Sequence, residues 1–195
     1  MYKIALGIGV NIPPHQERLY AAISLVSEHI AVNHTLTCSN LYETEALLPA
    51  GAPKEWNINY LNCVIVLHTR LEPRNLLHAL KLCESKSGRL HDAPRWCPRS
   101  IDLDIIIYDN MPVEEPLLFV PHKEASYRAC VLQPLCEVWP DSIVVFPSEN
   151  SCFENKISAR HALEWLADDP HILRIEESKP EFYTHSNSKS LKAIF

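Results

Sequence analysis

The chain has 195 residues, of which 47% are hydrophobic and 22% charged, and its formal net charge is -6. This length suits one domain with a substantial core, and the acidic balance argues against a general nucleic-acid-binding surface. Seven scattered cysteines without a C-x-x-C pair disfavour structural zinc and a disulfide framework. No apolar run reaches the ~18 residues that span a bilayer. We therefore expect a cytoplasmic protein with no membrane or nucleic-acid partner.

Apolar periodicity predicts six strands and helices over the first half of the chain. In order, they are a strand over Tyr2–Val10, a helix over Gln16–Ile30, a strand over His34–Tyr42, a strand over Tyr60–Thr69, a helix from Pro73 to about Gly88 and a strand over Ile101–Tyr108. The order β-α-β-β-α-β is that of the split βαβ, or ferredoxin-like, arrangement. We predict an α+β fold with this core, which by itself assigns no chemistry.

Beyond this core, the pattern predicts C-terminal helical additions. One helix is expected over about Glu124–Val138, where Pro134 should break or kink it, and a last helix over Ser158–Ala167. We accordingly expect one domain over residues 1–170 and a polar C-terminal extension over residues 171–195.

The most informative stretch is RWCPRSIDLDI, Arg95 to Ile105. Asp102 and Asp104 are two apart on a predicted strand and therefore point to the same face, with attachment points ~6.6 Å apart. At an effective dielectric constant of ~20, the two charges repel by ~2.5 kcal/mol, which a divalent cation would relieve. Oxygen-only ligands favour Mg²⁺ over zinc. The alternative is a solvated aspartate pair at a strand end, because D-x-D is a short motif.

Arginines cluster around this aspartate pair. Arg89, Arg95 and Arg99 precede it closely, and guanidinium groups fork onto phosphate oxygens. Together with Mg²⁺ they predict a polyphosphate site, with ordinary Arg–Asp surface pairing as the alternative. Trp96 is expected to stack on a base or to lie in the core, and His122 to donate to a phosphate or to cap a helix. No P-loop or kinase glycine loop is present, so an ATP site would be of another type.

Six short segments stand in a characteristic order between residues 2 and 147. They are Gly9-Val10-Asn11, Leu41-Tyr42-Glu43-Thr44, Asn59-Tyr60-Leu61-Asn62, Glu84 with Gly88-Arg89, Arg95 to Asp104, and Val120-Pro121-His122 with Arg128. Together they resemble the G-S-N, Y-x-T, F/Y-L-N, E…GR, R-W-G-P-R-x-[IL]-D-[IL]-D and P-H…R segments of the hydroxymethyl-dihydropterin pyrophosphokinase family. The fifth segment is the most specific of them.

This resemblance implies an activity and a set of site residues. The activity is transfer of diphosphate from ATP to 6-hydroxymethyl-7,8-dihydropterin in folate biosynthesis, with AMP as the other product. The implied catalytic residues are Asp102, Asp104, Arg89 and Arg99, the two aspartates as ligands of two Mg²⁺ ions. The implied ATP-binding residues are Glu84, Arg89, Trp96, Arg99, Ile105, His122 and Arg128. The implied pterin-binding residues are Asn11, Thr44, Tyr60, Asn62, Trp96 and Cys130. The expected partners are therefore ATP and a reduced pterin, and a monomer is expected.

Several positions depart from the family pattern. Cys130 stands where an aromatic second face of the pterin sandwich is usual, a change expected to remove ~1 kcal/mol of binding. Val10, Glu45 and Cys97 replace the usual Ser, Pro and Gly. Because the metal half matches better than the pterin half, the alternative function is a non-catalytic or altered-substrate paralogue that binds nucleotide. A third hypothesis, a metal-dependent phosphohydrolase, predicts ATP hydrolysis without an acceptor.

Overall fold

The computed structural model describes residues 1–90, 92–146, 155–164, 166 and 172–176. Its strands are β1 (Tyr2–Val10), β2 (Leu36–Cys38), β3 (Leu41–Thr44), β4 (Tyr60–Thr69), β5 (Asp102–Tyr108), β6 (Val113–Glu115), β7 (Leu118–Val120), β8 (Ile143–Phe146), β9 (Asn155–Ser158) and β10 (Ile172–Glu176). Its helices are α1 (His15–His29), α2 (Pro73–Lys86), α3 (Ala129–Val138) and α4 (Ala159–Glu164). None of the described helices is long and apolar enough to cross a membrane.

Six of the described strands form one antiparallel sheet, in which neighbours run β10-β3-β4-β1-β5 and β2 also pairs with β4. The long central strands β1 and β4 align from Tyr2 opposite Thr69 to Val10 opposite Leu61. The order β3-β4-β1-β5, with α1 and α2 as connections, is the split βαβ arrangement. The prediction of an α+β protein with a ferredoxin-like core is therefore confirmed.

Alternation along β1 divides the core between the two faces of the sheet. The even-numbered residues from Ile4 to Val10 are buried against α1 and α2, and burial of each large side chain stabilises the fold by about 1.5–3 kcal/mol. Ala5 points to the opposite face, where it is buried with residues of α3 and α4. The next residues on that face are Gly7 and Gly9, which bring no side chain to cover the sheet.

The predicted strand over His34–Tyr42 is divided into β2 and β3. At the break, the Ser39 hydroxyl accepts the Val64 N–H at 3.0 Å, and the Ser39 N–H donates to the Val64 carbonyl at 2.9 Å. A side chain thus takes over one backbone acceptor position. An alternating apolar pattern carries no signal that a side-chain hydroxyl will accept a hydrogen bond in place of a backbone carbonyl.

The predicted helix over Glu124–Val138 is interrupted at Arg128 and not at Pro134. A short 3-10 turn precedes Arg128, whose backbone is extended, and α3 then continues through Pro134. Buried Leu132 and Leu135 hold α3 in the second part of the core. This packing offsets the missing Pro134 N–H donor. The expected break at Pro134 is therefore wrong, while the alternative expectation of a kink there stays a prediction.

The remaining elements extend the core. Helix α4 lies within the predicted helix over Ser158–Ala167, of which residues 165 and 167 lie outside the described residues. Of the predicted extension over residues 171–195, the structure describes β10, which pairs with β3. The β6–β7 hairpin was missed by sequence reasoning because its turn places Leu117 at φ +70°, where glycine is the usual signal.

Candidate active site

A cleft of about 560 Å³ opens on the sheet face that carries α3, above the glycines of β1. Strands β1, β4 and β5 form its floor, and the loop before β5, the β6–β7 hairpin and the start of α3 form its rim. The predicted site residues that line it are Thr44, Tyr60, Asn62, Trp96, Arg99, Asp102, Asp104, Ile105, His122, Arg128 and Cys130. Asn11, Glu84 and Arg89 are not among the lining residues and contact other site residues instead.

Strand register joins two groups of predicted site residues across Gly9. Asn62 of β4 and Asp102 of β5 are both paired with Gly9 of β1, from opposite sides. Gly7 is paired with Asp104 in the same way. Because adjacent strands lie ~4.8 Å apart, the backbones that carry Asn62 and Asp102 are ~9.6 Å apart with no side chain between them. The glycines therefore form an open floor between an amide-bearing half and a carboxylate-bearing half.

Asp102 is held by two guanidinium groups. Arg89 donates from Nη1 to Oδ1 at 2.6 Å, and Arg99 donates from Nη1 to Oδ2 at 2.7 Å. All three side chains are mostly buried, with exposed fractions of 19% for Arg89, 26% for Arg99 and 23% for Asp102. Charge-assisted bonds in such a setting fix the orientation of the carboxylate. The predicted clustering of arginines around the aspartates is thus present.

Asp104 differs from its neighbour because no hydrogen bond or ion pair reaches its carboxylate from the described residues. Its pKa is raised, first by burial and then by the negative charge of Asp102, while His122 and Lys81 act in the opposite direction. A carboxylate in this state is favourably neutralised by a cation. Two aspartate oxygen donors on one strand face fit Mg²⁺, which usually takes one or two carboxylates and completes its shell with phosphates and water.

The described residues hold no cluster of three or more histidine, cysteine, aspartate or glutamate side chains suited to a metal. The Asp102 and Asp104 pair would therefore leave most ligand positions of a cation to a bound polyphosphate and to water. This donor set fits a metal that enters together with a nucleotide better than a permanently bound structural ion.

The amide-bearing half consists of Thr44, Tyr60 and Asn62. Asn62 donates from Nδ2 to the Thr44 hydroxyl at 2.8 Å, across the β3–β4 pair. Tyr60, which is paired with Thr44 at the end of the two strands, has a raised pKa because of burial and then the charge of Asp102. An aromatic ring beside an amide and a hydroxyl matches the needs of a flat polar heterocycle.

Asn11 links the two loops that border the cleft. It is 1% exposed, its Oδ1 accepts the Arg99 N–H at 2.7 Å, and its Nδ2 donates to the Ile58 carbonyl at 3.4 Å. Asn11 therefore fixes the position of the Arg99 backbone, and its contact with a pterin stays a prediction.

The rim carries further cationic side chains and the aromatic residue Trp96. Arg95 lies over the Trp96 ring at 4.9 Å, and both residues line the cleft. Trp96 has φ +72°, a region that costs a non-glycine residue about 1–3 kcal/mol and is concentrated at functional sites. Arg128 donates to Glu124 at 2.6 Å, and the Glu124 N–H donates to Nδ1 of His122 at 3.3 Å.

The lining residues that sequence reasoning missed include Lys81, Phe119 and Lys123. The Lys123 ammonium lies 3.5 Å from the centre of the Phe119 ring. Lys81 donates to Glu84 at 2.9 Å along α2. The signal for Lys81 was available, because it stands three residues before a predicted site residue on a predicted helix.

A carboxylate pair of which one member is bound by two guanidinium groups, in a polar cleft of an α+β fold, fits a metal-dependent enzyme that acts on a polyphosphate. Comparison with known families is more specific. Residues 5–140 match the family described as 7,8-dihydro-6-hydroxymethylpterin-pyrophosphokinase (HPPK). The chain therefore belongs to the HPPK family, and the predicted resemblance is confirmed.

Individual relatives agree with this membership. The 2-amino-4-hydroxy-6-hydroxymethyldihydropteridine pyrophosphokinase of Pseudomonas aeruginosa is 34% identical over 139 residues, which cover 71% of this chain and 82% of that protein. The protein of the same name from Haemophilus influenzae is also 34% identical, covering 72% of this chain and 82% of its own. Solved structures of Plasmodium falciparum HPPK-DHPS include one with a TM-score of 0.60 at 13% identity, covering 85% of this chain and 45% of that chain. At that identity the likeness concerns the fold alone.

Proposed function

We propose that the chain transfers the diphosphate group of ATP to the hydroxymethyl oxygen of 6-hydroxymethyl-7,8-dihydropterin and releases AMP, a step of folate biosynthesis. Relatives whose names carry this activity match most of the chain and most of their own length. The observation that carries the site assignment is the placement of Asn62 and Asp102 on opposite sides of Gly9. An acceptor and a donor can therefore lie side by side on one open floor.

On the metal side, ATP-dependent kinases of this family use a divalent metal, and we propose two Mg²⁺ ions held by Asp102 and Asp104. When bound, these ions supply charge neutralisation at the phosphate oxygens. Arg99, His122 and Arg128 would bind phosphate oxygens from the rim, because all three line the cleft. Trp96 would close over the nucleotide, and Ile105 would contact its base.

On the acceptor side, Tyr60 would stack on the pterin, and Thr44 and Asn62 would hydrogen-bond its polar edge. The bond between Asn62 and Thr44 orients both groups before a ligand arrives. Such preorganisation lowers the entropic cost of placing the reacting oxygen. Cys130 also lines the cleft and would give the pterin a smaller second contact.

The reaction is a direct displacement. The hydroxymethyl oxygen forms a bond to the β-phosphorus and loses its proton, and the bond from that phosphorus to the oxygen bridging the α- and β-phosphates breaks. The bridging oxygen leaves with AMP. The chain's residues position the two substrates and stabilise the transferred charge, which is the main source of catalysis in phosphoryl transfer.

The test is acceptor-dependent AMP formation. The purified chain, ATP and Mg²⁺ should yield AMP and pterin diphosphate in equal amounts when the reduced hydroxymethylpterin is present, and no AMP when it is absent. ADP or phosphate without an acceptor would instead indicate the phosphohydrolase hypothesis. Nucleotide binding without any product would indicate the non-catalytic paralogue.

A paralogue with altered substrate use stays the second candidate because of Cys130. This residue is partly buried and lines the cleft. It stands at the position where the family pattern described above has an aromatic ring. We further propose that the chain acts as a cytoplasmic monomer and that residues 1–170 form its catalytic domain, with β10 added at the edge of the sheet. Size-exclusion chromatography with light scattering would test the monomer.

A further inference from the structure

Glu84 is a buried carboxylate that does not line the cleft. It lies in the last turns of α2 and is 1% exposed. Its oxygens accept the Lys81 ammonium at 2.9 Å, the Leu103 N–H at 2.9 Å and the Arg89 guanidinium. A buried carboxylate is tolerated only with such a complete set of donors. Glu84 is therefore not placed to contact a nucleotide directly, as the family resemblance implied.

The chain around Gly88 returns Arg89 to Glu84. Gly88 has φ +82°, a conformation that glycine adopts without steric cost. The Arg89 N–H then donates to the Glu84 carbonyl at 3.0 Å. Because backbone and side chain of Arg89 are both bound to Glu84, the guanidinium has little freedom left.

The same Arg89 nitrogen that is bound to Glu84 also donates to Asp102. In addition, the Leu103 N–H that Glu84 accepts belongs to the residue between Asp102 and Asp104. Glu84 thus contacts the aspartate pair by two routes, one through a guanidinium and one through the backbone of β5.

We propose that Glu84 is a positioning residue of the metal site, which fixes the strand between Asp102 and Asp104 and holds Arg89 against Asp102. This inference rests on the proposed metal role of the two aspartates. Loss of its charge should weaken metal binding without affecting the pterin half, which lies across Gly9 on β3 and β4. Partners of metal ligands in other proteins typically change metal affinity by ~10-fold to ~100-fold when mutated.

The experiment uses Glu84→Gln, which keeps the size of the side chain and one acceptor for Leu103. Calorimetry would measure the joint affinity for Mg²⁺ and an ATP analogue with a methylene group between the α- and β-phosphates. The expected result is ~10-fold to ~100-fold weaker binding, with the KM for the pterin within about twofold of wild type. An unchanged affinity for Mg²⁺ and the ATP analogue would overturn the proposal. A pterin KM raised by the same factor as the loss of that affinity would also overturn it.

Glu137→Gln is the matched control. Glu137 accepts the Asn40 N–H at 2.7 Å and the Tyr42 hydroxyl, so it ties α3 to the sheet away from the aspartates. This variant should lower the melting temperature and leave metal–nucleotide affinity unchanged. A wild-type chain that fails to bind the analogue would instead refute the proposed function, which separates the two failures.

A double-mutant cycle covers the case in which Glu84→Gln does not fold. The single variant Arg89→Met removes the positive charge of the pair. The double variant, which combines Glu84→Gln with Arg89→Met, removes both charges. If Glu84 acts mainly through Arg89, the double variant should bind the analogue within about threefold of Arg89→Met. A larger further loss would assign the remaining effect to the bond between Glu84 and the Leu103 N–H. Wild-type affinity in the double variant would overturn the proposal.

Discussion

Arg99 donates to Oδ2 of Asp102 at 2.7 Å, while Arg89 takes the other oxygen of the same carboxylate at 2.6 Å. Both oxygens of a proposed metal ligand are thus engaged before any ligand arrives. A cation that binds Asp102 competes with these guanidinium groups, unless phosphate oxygens take over their bonds.

The first prediction is that metal and nucleotide bind cooperatively. Mn²⁺ alone should bind at least ~10-fold more weakly than Mn²⁺ in the presence of the methylene analogue of ATP, within the usual range of coupling between ligands. Electron paramagnetic resonance of free Mn²⁺ measures both affinities. Arg99→Gln should reduce the difference, because it removes a competitor for Asp102 and a phosphate ligand together. Equal Mn²⁺ affinity with and without nucleotide would rule out this exchange.

The second prediction concerns Gly9. A Cβ at this position would lie 2.8 Å from Oδ1 of Asn62, so Gly9→Ala should displace the Asn62 side chain and weaken its bond to Thr44. Loss of one such bond costs about 0.5–1.5 kcal/mol, so the KM for the pterin should rise roughly threefold to tenfold. Metal–nucleotide affinity should stay unchanged.

Gly7→Ala is the control for this variant. The Cβ added there would lie 3.1 Å from Cδ1 of Ile106, an apolar side-chain end outside the amide-bearing half. Steady-state kinetics should show a smaller change in pterin KM than for Gly9→Ala. A larger change in pterin KM for Gly7→Ala than for Gly9→Ala would contradict the proposed contact between Gly9 and the amide-bearing half.

The third prediction concerns the second face of the pterin site. Cys130→Phe should lower the dissociation constant for the pterin about twofold to tenfold, because an aromatic contact adds about 0.5–1.5 kcal/mol. Cys97→Ala, a change in the loop before β5, should leave it unchanged. Fluorescence titration with the pterin measures both constants. No gain from Cys130→Phe would indicate that another residue already covers this face.

The fold was predictable where local pattern and tertiary packing agree. The strand over Tyr60–Thr69 and the helix start at Pro73 were predicted at the residues where the structure has them, because a long apolar run and a proline at the first helical turn leave few alternatives. The break at Ser39 and the continuous helix at Pro134 were not predictable, since a hydroxyl acceptor and a buried helix face decide them.

The candidate site was predictable in its membership more than in its geometry. The sequence placed Asp102 and Asp104 on one strand face, which follows from the period of a strand. The predicted fold implied that β1 lies between β4 and β5, but the sequence carried no signal for the register that pairs Gly9 with both Asn62 and Asp102. The family resemblance implied that Glu84 contacts the nucleotide, whereas the structure has it bound to Arg89 and to the Leu103 N–H and not among the lining residues.

The fourth prediction separates the two aspartates by stability. Asp104 has a raised pKa and no partner among the described residues, so the folded state binds its proton more tightly than the unfolded state. Its contribution to stability is therefore lost as pH rises from the ordinary carboxyl range through the raised pKa. Without divalent ions, Asp104→Asn should melt above wild type at neutral pH, and the difference should vanish in acid.

Asp102→Asn should melt below wild type at neutral pH, because Asp102 is paired with Arg89 and Arg99. Its removal leaves the mostly buried Arg99 guanidinium without its carboxylate partner and Arg89 with Glu84 alone, which is destabilising. Thermal melts of the three proteins with a metal chelator, over a range of pH, provide the measurement. Melting temperatures of both variants that lie on the same side of the wild-type value at neutral pH would contradict the distinction between the two aspartates.

The most direct test of the aspartate pair as the catalytic metal site is the rate of AMP formation by Asp104→Asn. Wild type and variant would be compared at saturating ATP, Mg²⁺ and reduced hydroxymethylpterin, with circular dichroism to verify that both are folded. The predicted result is a loss of at least ~100-fold in kcat, since the variant lacks a ligand for the ions that neutralise the transferred charge. A folded Asp104→Asn chain that turns over at the wild-type rate would contradict the assignment.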